Sequence, residues 1–144
     1  MSTYTEIAVT TNYSFLHGAS HPKELIETAA FLGLDAIGIT DRNSLAGVVR
    51  AWDALNQIRI QTKGKTPKLL VGARLVFSDG AAEVLAYPKN REAYGRLCQL
   101  ISLGKHRAKK GDCILLLTDL LEYQEDLLLA VVPPARPGAG LAAR

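Results

Sequence analysis

A chain of 144 residues with 48% apolar and 22% charged residues can close an ordinary globular core. That balance excludes a disordered segment, and the apolar runs are too short to span a bilayer. A formal net charge of +3 permits an acidic partner such as nucleic acid without demanding one. Met1 to Glu6 carry neither the basic nor the apolar region of a signal peptide, so a cytoplasmic protein with no membrane contact is expected. Cys98 and Cys113 lack metal-site spacing and read as two buried thiols in a reducing compartment.

The elements follow in order. Tyr4 to Thr10 alternates and is rich in β-formers, which predicts a first strand; Thr11 to Ala19 is then a loop. Ser20 is the expected N-cap of a helix with Pro22 in its first turn, a face of Leu25, Ala29 and Leu32, and Gly33 as its stop. Ala36 to Ile39 is a short apolar strand of the kind covered on both faces. It ends in Thr40-Asp41-Arg42-Asn43, and Ser44 then caps a helix whose buried stripe is Leu45, Val48, Trp52 and Leu55. After a polar loop over 62–67, Leu69 to Phe77 is the third strand, and Ser78-Asp79-Gly80 turns into a fourth at Ala82 to Tyr87. Asn90 caps a helix carrying Tyr94, Leu97, Cys98 and Ile101 and ended by Gly104. A basic loop covers Lys105 to Asp112, Thr118 caps a short helix through Tyr123, and Leu127 to Val132 is the last strand. From Pro133 the chain reads as a Pro/Gly/Ala-rich tail or linker. This order is an α/β pattern, too short for a closed barrel of more than about 200 residues.

Functional groups in such folds collect beyond the carboxyl ends of the strands, which singles out Asp41, Arg42 and Asn43. The plainest role for Asp41 is to accept backbone N–H bonds at the start of the following helix. His17, His21 and His106 are too scattered to form a metal site by spacing, although His17, Asp41 and Glu83 are possible ligands if the fold gathers them. Lys105, Arg107, Lys109 and Lys110 form a basic cluster that could face DNA or be a solvated surface. Gly138 to Ala143 fits G-x-G-x-x-A but follows prolines and no strand, so it reads as tail.

Several stretches resemble the PHP (polymerase and histidinol phosphatase) domain, in order. They are Tyr4 to Ser20, Gly38 to Val48, Val71 to Leu75, Leu85 to Asn90 and Tyr94 to Ser102. The likeness is greatest to the N-terminal part of the error-prone, DnaE-like branch of bacterial C-family DNA polymerases. It implies a partial, distorted seven-stranded βα barrel of about five to six strands and three main helices over residues 1–132, with 133–144 as linker. Active PHP domains hold zinc or manganese and hydrolyse phosphoesters; the parent polymerase would use magnesium. The ligand positions of that family fall here on Ala8, Thr10, His17, Arg42, Arg74 and, less directly, Glu83. A methyl group donates no lone pair, and guanidinium is always protonated. The resemblance therefore implies a chain with no cofactor and no catalytic residue of its own, in which Asp41, Arg42, Arg74 and Glu83 form structural salt bridges. It also implies, as partners, the remainder of the polymerase, DNA, and through the parent a sliding clamp and mutagenesis accessory proteins. A rearranged phosphoesterase or exonuclease site built on His17, Asp41 and Glu83 is the alternative.

Overall fold

In the computed structural model, residues 4–62 and 64–134 are described. The elements are β1 (Thr5–Val9), α1 (Pro22–Phe31), β2 (Ala36–Arg42), α2 (Ala46–Gln61), β3 (Lys68–Leu75), β4 (Val84–Pro88), α3 (Arg91–His106), α4 (Leu117–Tyr123) and β5 (Leu127–Val131). This mixed α/β order is the one expected, with five strands, three longer helices and one short one among the described residues. The tail motif over 138–143 lies outside them. The chain divides into two compact units, 1–74 and 75–144.

In the first unit β1, β2 and β3 pair in parallel. Parallel strands need crossovers, and α1 and α2 supply them. Ile26 and Ala29 of α1 and Val48, Ala51, Ala54 and Leu55 of α2 are buried with Ile37 and Ile39 of β2, and Val9 and Val71 pack against them. β1 carries an irregularity between Glu6 and Val9. There the Ile7 carbonyl comes so close to Gly38 that a Cβ on residue 38 would sit 2.4 Å from its oxygen. Only glycine permits that approach.

Two amphipathic faces differ from expectation. In α1 the buried residues are Pro22, Ile26 and Ala29, while Leu32 is exposed. In α2 they are Gly47, Val48, Ala51, Ala54 and Leu55, and Trp52 stands outside with the Arg59 guanidinium 5.6 Å from its ring centroid. Small residues let α2 approach closely, so the bulky indole cannot occupy that side. Capping also shifts by one residue. His21 is the N-cap of α1, with the Glu24 carboxylate accepting its N–H at 2.9 Å, and Leu45 is the N-cap of α2, while Ser44 Oγ accepts from Ala46 N–H.

In the second unit β4 and β5 are antiparallel, with Ala86 opposite Leu129. β4 starts at Val84, so Glu83 precedes the strand. Asn90 caps α3 as expected, its Oδ1 accepting from Ala93 N–H at 2.8 Å. Gly104 does not stop α3, which runs on through His106. It is instead a contact glycine: a Cβ there would meet Cys113 Sγ at 2.6 Å and Leu115 Cγ at 2.7 Å. Tyr94 and Cys98 are correspondingly off the buried face, which is Ala93, Leu97, Leu100, Ile101 and Gly104. The N-cap of α4 is Leu116 rather than Thr118.

Candidate functional site

The carboxyl end of β2 carries a buried acid. Asp41 is 1% exposed and shares a face with Ile37 and Ile39, because side chains alternate along a strand. Burying a carboxylate is costly unless donors surround it. Three do: Thr11 N–H at 2.8 Å, Thr11 Oγ1–H at 2.9 Å and Ser14 Oγ–H at 2.7 Å. Each hydroxyl is itself polarised by a backbone N–H, Tyr13 N–H donating to Thr11 Oγ1 and Arg42 N–H to Ser14 Oγ. Such relays strengthen the bonds they feed. The loop that delivers them is closed by its own bonds, Ser14 N–H to Thr11 O and Asn12 N–H to Ser20 O. Gly47, in the first turn of α2, leaves room for the carboxylate; a Cβ there would lie 2.5 Å from Asp41 Oδ2 and 3.0 Å from Thr11 Oγ1.

One expectation for Asp41 is thereby corrected: its backbone donor is Thr11 on the loop after β1, not the first turn of α2, and two hydroxyls join it. Along the strand Asp41 faces the helices and Arg42 the other side. Nothing in the local sequence marks Thr11 and Ser14 as its partners, 30 and 27 residues away.

The expected ligand positions are partly brought together. Arg42 and Arg74 are register partners on neighbouring parallel strands, so they stand side by side on the face opposite Asp41. Ala8 lies in the irregular stretch of β1 between Glu6 and Val9, and Thr10 follows the strand directly. His17 lies in the loop after β1, exposed. Glu83 belongs to the second unit, where its carbonyl accepts from Val132 N–H. As a donor set for zinc or manganese these residues do not fit. An alanine, a threonine and two guanidinium groups occupy four positions, and the Asp41 carboxylate already accepts three hydrogen bonds from Thr11 and Ser14. Among the described residues no three His, Cys, Asp or Glu side chains gather in a way that could hold a metal ion.

The basic cluster is divided by the structure. Lys105 closes α3, while Lys109 and Lys110 lie in the turn beyond it, all exposed. Arg107 is engaged: its Nη1 donates to Asp119 Oδ2 at 2.6 Å, and the same oxygen accepts Leu116 N–H at 2.8 Å. The Arg107 guanidinium, followed by that backbone bond, holds the Asp119 carboxyl below its ordinary range. A depressed folded-state pKa contributes stability that is complete above the unfolded value and lost as pH falls through the folded one. The thermal midpoint of the native chain is therefore expected to converge on that of Asp119→Asn below about pH 4, and to exceed it at pH 7. Parallel melts followed by circular dichroism check this; a constant gap across that range would contradict it.

Comparison with known proteins gives a consistent family. A PHP domain family model matches residues 6–140. The chain is 55% identical over 133 residues to an error-prone DNA polymerase of Rhodopseudomonas palustris (strain BisB5), covering 92% of the chain and 12% of that protein. It is 53% identical over 131 residues to the error-prone DNA polymerase of Caulobacter vibrioides, covering 91% of the chain and 11% of the polymerase. The chain thus spans about an eighth of the length of these relatives. Among solved structures, one described as a metal-dependent phosphoesterase from Bifidobacterium adolescentis superposes with a TM-score of 0.54 at 23% identity, over 74% of this chain and 34% of that one. An amidohydrolase from Chromobacterium violaceum, with bound sulfate and no metal, gives 0.53 at 18% identity over 71% and 33%. At such identities the structures speak to the fold alone.

Proposed function

Because this chain belongs to the PHP domain family, we propose that it is a PHP module that has exchanged metal chemistry for structure, serving as the N-terminal scaffold of an error-prone DNA polymerase. The observation that carries this reading is the register pairing of Arg42 with Arg74 at the strand ends, where the family resemblance would place a histidine and a glutamate ligand. Two fixed positive charges repel a dication, and in a partly buried site the repulsion is on the order of several kcal/mol. Guanidinium charge then stands where metal charge would. On the other face, Asp41 ties the loop after β1 to β2 by hydroxyl and N–H donors and needs no cation.

In this reading residues 1–132 form the module and 133–144 the link onward. Polymerase chemistry, with its magnesium, lies in the remainder of the parent protein, in the cytoplasm. The cellular setting is translesion synthesis in DNA damage-induced mutagenesis, with the sliding clamp and accessory proteins engaged by the parent. Lys105, Lys109 and Lys110 are the exposed cations of the second unit that would meet a DNA phosphate; Arg107 orients α4 instead.

Isothermal calorimetry with zinc and with manganese tests the central claim. The expected trace shows no stoichiometric binding, and a nitrophenyl phosphate assay with manganese shows no turnover. Binding of one or more metals per chain together with hydrolysis would establish the phosphoesterase reading in its place.

A further inference from the structure

Between α1 and α2 the first unit has a cavity of about 590 Å³ whose lining includes Tyr13, His21, Pro22, Arg50, Asp53 and Ala54. It is separate from the arginine pair, since its walls are helix surfaces and the loop after β1. A volume of this size suits a small organic ligand rather than a lone ion. Its charges are unequally committed. Glu24 is bound to His21 N–H, Asp53 accepts Gln57 Nε2–H at 3.1 Å, and Lys23 makes a long 3.8 Å pair with Glu27. The Arg50 side chain is exposed on α2 and makes no hydrogen bond or ion pair with any described residue.

The polar groups are of two kinds on one apolar floor. Arg50 offers a planar fork suited to phosphate. Asn12 Nδ2 stands 3.1 Å from His21 Nδ1, and the ring tautomer that accepts there carries its proton on Nε2, where it can serve as a second donor. Asp53 retains a carboxylate oxygen that can accept N–H groups, and the Tyr13 ring, 44% exposed, offers a face for stacking. An inorganic anion would use only the first kind of group, and a neutral apolar molecule neither. We infer that this α1–α2 cavity binds a nucleoside monophosphate unit, with its phosphate on Arg50 and His21, its base against Tyr13 and the base N–H groups towards Asp53. The unit is either a free nucleotide or one residue of a single strand; the recognition chemistry is the same.

The test is a nitrogen-15 NMR titration of the full chain with adenosine monophosphate, adenosine, inorganic phosphate, deoxyadenosine monophosphate and an eight-residue oligodeoxyadenylate. The expected result is a set of shifts confined to the cavity residues, stronger for the monophosphate than for adenosine or phosphate alone. Arg50→Gln, at an exposed position, is expected to weaken monophosphate binding about tenfold and leave adenosine unchanged. Tyr13→Leu is expected to weaken both. Tighter binding of the oligomer than of the deoxynucleotide assigns the site to a strand, and equal or weaker binding to a free nucleotide. The inference is overturned if no cavity resonance moves at about 5 mM nucleotide, a ceiling set by the millimolar affinity range, or if Arg50→Gln leaves nucleotide affinity intact. Neither outcome bears on metal binding, so the scaffold reading stands or falls separately.

Discussion

Replacing Asp41 by alanine is expected to cost about 3–5 kcal/mol, enough to leave the first unit largely unfolded at 37 °C. The substitution does not merely remove an acceptor. It strands Thr11 N–H and two hydroxyls in a pocket that excludes water, and the relays from Tyr13 and Arg42 lose their terminus. Asp41→Asn should cost distinctly less, because its carbonyl oxygen still accepts Ser14 Oγ–H and Thr11 N–H. The Thr11 hydroxyl can then turn to accept from the amide. Urea unfolding followed at 222 nm gives both values. On the proposed metal-free reading, the same curves recorded with a chelator and with added manganese should coincide; a manganese-dependent midpoint would contradict that reading. Gly47→Ala attacks the same carboxylate from α2 and should shift the midpoint in the same direction.

The second large effect is expected at Gly104. Valine there must either push α3 away from Cys113 and Leu115 or force Leu115, fully buried, from its rotamer. Overpacking of this kind costs about 1–3 kcal/mol or more, against which the better helix propensity of a non-glycine residue recovers well under 1 kcal/mol. A chemical readout accompanies the loss. Burial pushes the Cys113 thiol above its ordinary pKa, opposed by nearby Lys105, so in the native chain it should react slowly with a disulfide reagent. In a Cys98→Ser background, Gly104→Val should both lower the urea midpoint and speed that reaction several-fold. An unchanged thiol rate with lowered stability would mean that the helix end frays without disturbing the 113–115 segment.

What the sequence revealed depended on whether the cause was local. The strands and helices follow from runs and periods within ten residues or so, and their order survives intact. Trp52 misleads because hydrophobicity ranks large residues first, whereas the approach of α2 to the sheet is set by Gly47, Ala51 and Ala54, which are small; Leu32 continues the apolar spacing of α1 but sits at its C-cap, past the last helical turn. Gly104 carries the usual signal of a helix stop, and only the segment at 113–115 shows why a side chain is excluded there. At the candidate site the pairing of Arg42 with Arg74 follows once the two strands are aligned in register. The cradle of Asp41 does not, because Thr11 and Ser14 look like ordinary loop residues until the fold brings them back to β2.

The position of Trp52 has a spectroscopic consequence. It is the sole tryptophan of the chain and is half exposed, with an arginine over its ring. Its emission in the native state should already be close to that of a solvated indole, so intrinsic fluorescence will change little on denaturation and will understate cooperativity. The same indole is well suited to a different purpose: a quencher or partner arriving on the outer side of α2 would alter its signal while the fold stays unchanged.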